Sequence, residues 1–183
     1  VMRLGNTTVF RHFVGATESS ADLPLLLRRL HGEIDTLLAP SPDSADDRDG
    51  IHRLKEKLGR RLRAINADQP IVIAIDALNQ LHNGHELSWL PVDVGSGVRI
   101  VVSCIKDESR ASRVVLDELR RRNVPVLELP VLPRTDVGAI ARDYFDDFCK
   151  RLGPSALRLL CGLPAAGNPL YLHALLGELR TLT

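Results

Sequence analysis

The chain has 183 residues, of which 44% are hydrophobic and 26% charged, with a formal net charge of +1. This balance is typical of a globular protein with one α/β domain, or a sheet core with a small helical attachment, and it argues against a surface field for nucleic acid or an anionic membrane. The apolar runs are far shorter than the roughly 20 residues of a membrane helix, and three scattered cysteines favour a reduced, cytoplasmic compartment.

The first third of the chain predicts one strand and two helices. Residues 8–14 are rich in β-branched and aromatic types and stop at Gly15, which predicts a strand. Residues 39–47 form a polar, proline-broken loop that we expect to be mobile. The helix before this loop has one apolar stripe, and so does the helix after it: Leu23, Leu26, Leu27, Leu30, Ile34 and Leu37, then Ile51, Leu54, Leu58, Leu62 and Ile65. The second helix also has a cationic face, which we expect to be solvated: Arg53, Lys55, Lys57, Arg60, Arg61 and Arg63.

The middle of the chain predicts a parallel sheet. The apolar run at residues 71–75 is typical of a strand buried on both faces, and residues 98–102 predict another strand. A third strand is predicted at residues 124–129, at a sheet edge because of Pro125 and Pro130, after a helix at residues 112–122. From Pro133 onward the pattern is helical. We therefore predict an α/β core at residues 1–133 and a helical subdomain at residues 134–183.

The most informative residue is Asp76, which ends the apolar run of residues 71–75. In open α/β sheets, ligands bind at the carboxyl ends of the strands. A carboxylate there can hold a magnesium ion, usually through water, beside the phosphates of a nucleotide. The alternative is that Asp76 only caps the turn that follows. The pattern alone leaves both interpretations open.

Four segments, in order, resemble one family. The sequence IVIAIDALNQL of residues 71–81, with residues 85–91 after it, resembles the Walker B region of STAND-class P-loop NTPases. The clade concerned is related to NACHT proteins and includes relatives of nephrocystin and the telomerase-associated protein. The other three segments resemble the strand after the P-loop helix, the sensor strand and the lid motif: residues 12–20, residues 98–103, and residues 167–180.

The resemblance implies a parallel-sheet P-loop NTPase core with a C-terminal helical lid. It implies a switch for signalling or defence, which holds ADP at rest and oligomerises with ATP, with effector and repeat domains on the same parent chain. Asp76 would be the Walker B acid and hold Mg²⁺ through water, and Ser103 would sense the terminal phosphate. Asn168 and Pro169 would contact the nucleotide from the lid.

Two departures from the family pattern bear on activity. The chain has no G-x-x-x-x-G-K-[ST] loop and no Gly-Lys pair. The family places that loop upstream of residue 12, so we expect that this chain was cut from a longer one and is inactive alone. Asn79 and Gln80 stand where related proteins have acids, and an amide cannot take a proton from water, so we expect slow hydrolysis.

The resemblance also predicts a gap in the sheet. In this family the P-loop strand lies between the sensor strand and the edge strand. Here these would be residues 98–103 and 124–129. We therefore expect the two segments not to pair directly, and a strand from outside the 183 residues to lie between them.

Other interpretations stay open beside the switch. The same fold could be a nucleotide-free interaction scaffold, or an AAA-like ATPase that handles DNA. A metal site at His82, His85 and Glu86 lacks known ligand spacing, and Cys104 has no assignable base, which favours an inert thiol. The run Arg120–Arg122 is more typical of a solvated surface than of a nucleic-acid site.

Overall fold

The computed structural model describes residues 2–4 and 7–182. The chain divides into two compact units, Val1–Val124 and Pro125–Thr183. The described residues form a mixed α/β fold with a small parallel sheet and six α-helices. The mixed α/β class predicted from the sequence is therefore confirmed.

The first unit contains a four-stranded sheet among its described residues. Its strands are β1 (Met2–Leu4), β2 (Thr7–Phe13), β3 (Ile71–Asp76) and β4 (Val98–Val102), in the spatial order β1-β2-β3-β4. β1 is antiparallel to β2, whereas β2, β3 and β4 run parallel. The strands predicted near residues 8–14, 71–75 and 98–102 are confirmed.

One side of this sheet forms the core of the unit. Phe10, Ile73 and Ile100 are in register across the three parallel strands. Apolar side chains of three helices join that side: α1 (Leu23–Leu38), α2 (Ile51–Ala64) and α3 (Arg110–Arg121). The core of this unit therefore consists of one side of the sheet and the two helices between β2 and β3, together with α3 after β4.

The other side of the sheet is not fully covered. Phe13 is 53% exposed and Val101 59% exposed, while Val72 and Ala74 are half-buried. The prediction that the strand at residues 71–75 is buried on both faces is therefore wrong. The run is apolar at every position, so periodicity could not distinguish the covered side from the open one.

The loop between α1 and α2 is fixed by cations. The Arg28 guanidinium donates to the carbonyl oxygens of Asp46, Asp47 and Asp49. Lys57 donates to Asp49 Oδ2 at 2.6 Å and to the Ser44 carbonyl at 2.9 Å, and Arg61 is paired with Asp35. Lys57 and Arg61 are buried, so the prediction that they lie on a solvated face is wrong.

The strand predicted at residues 124–129 does not form, and this prediction is wrong. No strand partner is found for this segment among the described residues, so it does not pair directly with β4. Leu127 is 84% and Leu129 86% exposed. Strand propensity depends on a neighbouring strand and on burial, and Pro125 and Pro130 remove two possible amide donors.

The second unit is helical and has its own core. It contains α4 (Arg134–Asp146), α5 (Pro154–Gly162) and α6 (Pro169–Leu182). Buried side chains from all three helices and the turn before α6 form one cluster: Val137, Ala141, Phe145, Leu160, Ala166, Leu172 and Leu176. The unit begins at Pro125, earlier than the boundary after residue 133 predicted from the sequence.

No helix within residues 7–182 is both long enough and apolar enough to cross a membrane.

Candidate functional site

Asp76 and Ser103 meet at the carboxyl ends of two neighbouring parallel strands. Asp76 is the last residue of β3, and Ser103 directly follows β4. The register pairs Ile75 with Val102, so the next residue of each strand lies at the same edge. The Ser103 hydroxyl donates a hydrogen bond to Asp76 Oδ1 and accepts one from the Ala77 amide at 2.9 Å.

The turn after β3 is held to the end of β4 by further hydrogen bonds. Ala77 has a left-handed φ of 57°, which lets the chain leave β3 sharply into a short 3₁₀ turn, Leu78–Gln80. The Leu78 amide donates to the Ser103 carbonyl at 2.9 Å, and the Ile105 amide donates to Asn79 Oδ1 at 3.3 Å. Asn79 is therefore a structural link between the two strand ends.

The site can accept one water-mediated cation contact. The Asp76 side chain is exposed, and Ser103 occupies only its Oδ1. Asp76 Oδ2 has no hydrogen-bond partner among the described side chains. Magnesium keeps most of its waters and needs few carboxylates from the protein. The described residues contain no group of three or more His, Cys, Asp or Glu side chains that could hold a metal ion directly. Asp76 therefore fits an outer contact to Mg²⁺ and does not form a complete protein cage.

Gln80 faces a different space from Asp76. It lines a cleft of about 490 Å³ beyond the ends of β2 and β3, together with Gly15, Ala21 and five polar residues: Thr17, Glu18, Asn79, His82 and His85. Gly15 has a φ of 80°, and a β-carbon there would collide with Gln80 Oε1. Thr17 and Glu18 could not be assigned to this cleft from the sequence, because they are remote in sequence from residue 80.

Cys104 lies beside Ser103 and is half-buried. Burial raises the pKa of its thiol, and hydrogen bonds with Ser112 and the Asn79 backbone oppose that shift only in part. A thiol with a raised pKa carries little thiolate at neutral pH. This environment agrees with an inert cysteine.

Asn168 and Pro169 belong to the second unit and begin α6. Asn168 Oδ1 accepts hydrogen bonds from the amides of Leu170, at 2.9 Å, and Tyr171, at 3.2 Å. This is the geometry of a helix N-cap. Pro169 is the first residue of α6, where its missing N–H costs no hydrogen bond. Their contact with a nucleotide remains a prediction from the resemblance.

No family model, no curated protein and no solved structure matches this chain. Inference of its function therefore rests on its own residues and on their geometry.

Proposed function

We propose that this chain is the nucleotide-switch core of a STAND-type P-loop NTPase, with the second unit as its helical lid. The observation that carries the proposal is the junction of Asp76 and Ser103 at the ends of two adjacent parallel strands. A carboxylate and a hydroxyl at that edge suit a site for a nucleotide and its metal ion.

The proposal gives each group a chemical role. Bound Mg²⁺ would neutralise charge on the nucleotide phosphates, and Asp76 would hold it through a water molecule. Ser103 would hydrogen-bond either Asp76 or the terminal phosphate, because a hydroxyl has only one hydrogen to donate. This exchange would let the ends of β3 and β4 distinguish ATP from ADP.

The sheet supplies a second, independent argument. β4 has no partner on its outer edge among the described residues, and Phe13 and Val101 are exposed on the open face. A P-loop strand beside β4, with its helix across the open face, would pair the free edge of β4 and bury Phe13 and Val101. The proposal assigns that strand to a segment outside the 183 residues.

The expected activity is that of a slow switch. Asn79 is engaged with the Ile105 amide and Gln80 is exposed, and neither amide can act as a general base. ADP would hold the resting state, and ATP would permit homo-oligomers that engage effector domains. The 183 residues alone are not expected to hydrolyse ATP, since the phosphate-binding loop lies elsewhere.

Nucleotide binding by the natural full-length protein tests the proposal. We expect Mg²⁺-dependent binding of ADP and ATP that Asp76→Ala weakens by about tenfold or more, as for other residues that hold a metal ion through an outer contact. Asp93→Ala is the matched control, because Asp93 is an exposed carboxylate that pairs with Arg63 and precedes the amino end of β4, whereas Asp76 lies at the carboxyl ends of the strands. A folded wild-type protein that binds no nucleotide would instead be a scaffold.

A further inference from the structure

A second cavity lies within the helical unit, where the end of α4 meets the loop to α5. Its volume is about 310 Å³. The buried ring of Phe145 and the half-buried Leu152 and Leu157 make its apolar part. The polar lining consists of three cations and one carboxylate: Arg142, Lys150, Arg151 and Asp146.

The backbone at the end of α4 positions these cations. Cys149 is left-handed, with a φ of 55°. The Cys149 amide donates to the Asp146 carbonyl at 3.0 Å, and the Lys150 amide donates to the Phe145 carbonyl at 2.9 Å. These two bonds form a Schellman motif, which reverses the chain after the helix. Lys150 and Arg151 are therefore placed beside Phe145, on the same cavity as Arg142.

Two of the three cationic side chains have no hydrogen-bond or ion-pair partner among the described residues. Lys150 donates to the Arg180 carbonyl at 2.8 Å. The guanidinium groups of Arg142 and Arg151 make no hydrogen bond or ion pair with any described residue. Arg142 and Asp146 are four residues apart on α4, the spacing of a helical ion pair, yet they form none.

The simplest alternative is that these cations only offset the dipole of α4. That role suits cations in the last turn of a helix. Arg142 lies one turn earlier, and the last turn of α4 contains no basic residue. The dipole therefore does not explain why Arg142 lines the same cavity as Arg151.

We propose that this cavity binds a small organic anion, in which a carboxylate or phosphate group is joined to an apolar body. The guanidinium groups of Arg142 and Arg151 pair with the anion, because their planar donors match carboxylate and phosphate oxygens. The apolar body rests on Phe145, Leu152 and Leu157. The exposed carboxylate of Asp146 repels anions, so it disfavours ligands with negative charges beyond the one group that the two guanidinium groups bind.

A titration of the 183-residue chain, followed by amide chemical shifts in NMR spectra, tests this site. The probes are phenyl phosphate and benzoate, with benzyl alcohol as the neutral probe of similar size. Both anions are expected to shift the amides around residues 142–152 and 157, with a Kd of about 1 mM or tighter. The two anions differ only in the charged group, so their relative affinity shows which one the site prefers.

A double variant, Arg142→Gln with Arg151→Gln, is expected to weaken anion binding by about tenfold or more. The control is Arg158→Gln, which removes an exposed arginine of α5 that contacts Ser155 and does not line the cavity. Circular dichroism checks that each variant is folded. Shifts that map elsewhere on the wild-type chain, equal binding of benzyl alcohol, or unchanged affinity in the double variant would each overturn the proposal.

Discussion

The hydroxyl of Ser103 donates its one hydrogen to the carboxylate of Asp76 and at the same time accepts from the Ala77 amide. Both contacts cross from the end of β4 to the end of β3. The hydroxyl therefore fixes the turn that leaves β3 and also occupies one oxygen of the candidate metal-binding acid.

The first prediction concerns this hydroxyl. Ser103→Ala should lower the free energy of unfolding by about 0.5–1.5 kcal/mol, because the Ala77 amide loses its partner. Ser96→Ala is the control, since Ser96 is an exposed serine before β4, and its effect should stay within about 0.5 kcal/mol. Urea unfolding of the 183-residue chain measures both. Equal stability of the two variants would mean that the contacts of Ser103 contribute nothing.

The second prediction concerns the buried pair of Lys57 and Asp49. The Lys57 ammonium, through its hydrogen bond, holds the pKa of the Asp49 carboxyl below its ordinary value. Lys57→Met removes the buried partner of that carboxylate, which keeps Arg53 and the Asp46 amide, and should cost about 1.5–3 kcal/mol of stability, the range for a hydrogen bond to a charged group.

The control for Lys57 lies on the same helix. Arg60 pairs with Asp43 at the exposed surface, so Arg60→Met should cost only about 0–1 kcal/mol. Chemical denaturation of both variants gives the comparison. A loss in Lys57→Met no larger than in Arg60→Met would show that the loop does not depend on this pair.

The third prediction is a pH dependence set by His31. Burial lowers the pKa of this imidazole, and the positive charges of Arg61 and Lys57 lower it further. The hydrogen bond to the Leu54 carbonyl and the negative charge of Asp35 oppose this shift. The unfolded chain thus binds the proton more readily than the folded one. The contribution of neutral His31 to stability is therefore fully present above the ordinary pKa of 6.5, and the free energy of unfolding falls as the pH drops below that value. One proton sets an upper limit of about 1.4 kcal/mol per pH unit for this slope.

His31→Gln tests this assignment because glutamine can still donate to the Leu54 carbonyl without titrating. Its unfolding free energy should lose the slope that the wild type shows below about pH 6.5. His52→Gln, at an exposed position of α2, should keep that slope. If the slope persists in His31→Gln, another group is responsible for it.

The fourth prediction concerns the rate of hydrolysis. Asn79 and Gln80 provide no base beside Asp76, so steady-state phosphate release by the full-length protein should be far below about 10 per second, the median for enzymes. Turnover near that median would contradict the proposed switch.

The sequence predicted the elements whose signal is local. The strand at Ile71–Asp76 and the stripe of α1 each follow from one continuous pattern, and the position of Asp76 follows from the strand. The hydrogen bond from Ser103 to Asp76 could not be predicted, because it depends on the register between strands that are distant in sequence.

The failures have the same physical origin. The charges of Lys57 and Arg61 predict an exposed face, because charged side chains are rarely buried. Their partners Asp49 and Asp35 come from outside α2, so the pattern of α2 does not reveal them. The apolar segment after α3 has the residue types of a strand. Strand propensity alone cannot show that this segment has no neighbouring strand among the described residues.

The most direct test of the proposed function is an experimental structure of the natural full-length protein with ADP and Mg²⁺. The proposal predicts a parallel strand hydrogen-bonded to the outer edge of β4, and a metal-bound water on Asp76. That strand would lead into the loop that holds the phosphates. An unpaired β4 edge, or a nucleotide remote from Asp76 and Ser103, would contradict it.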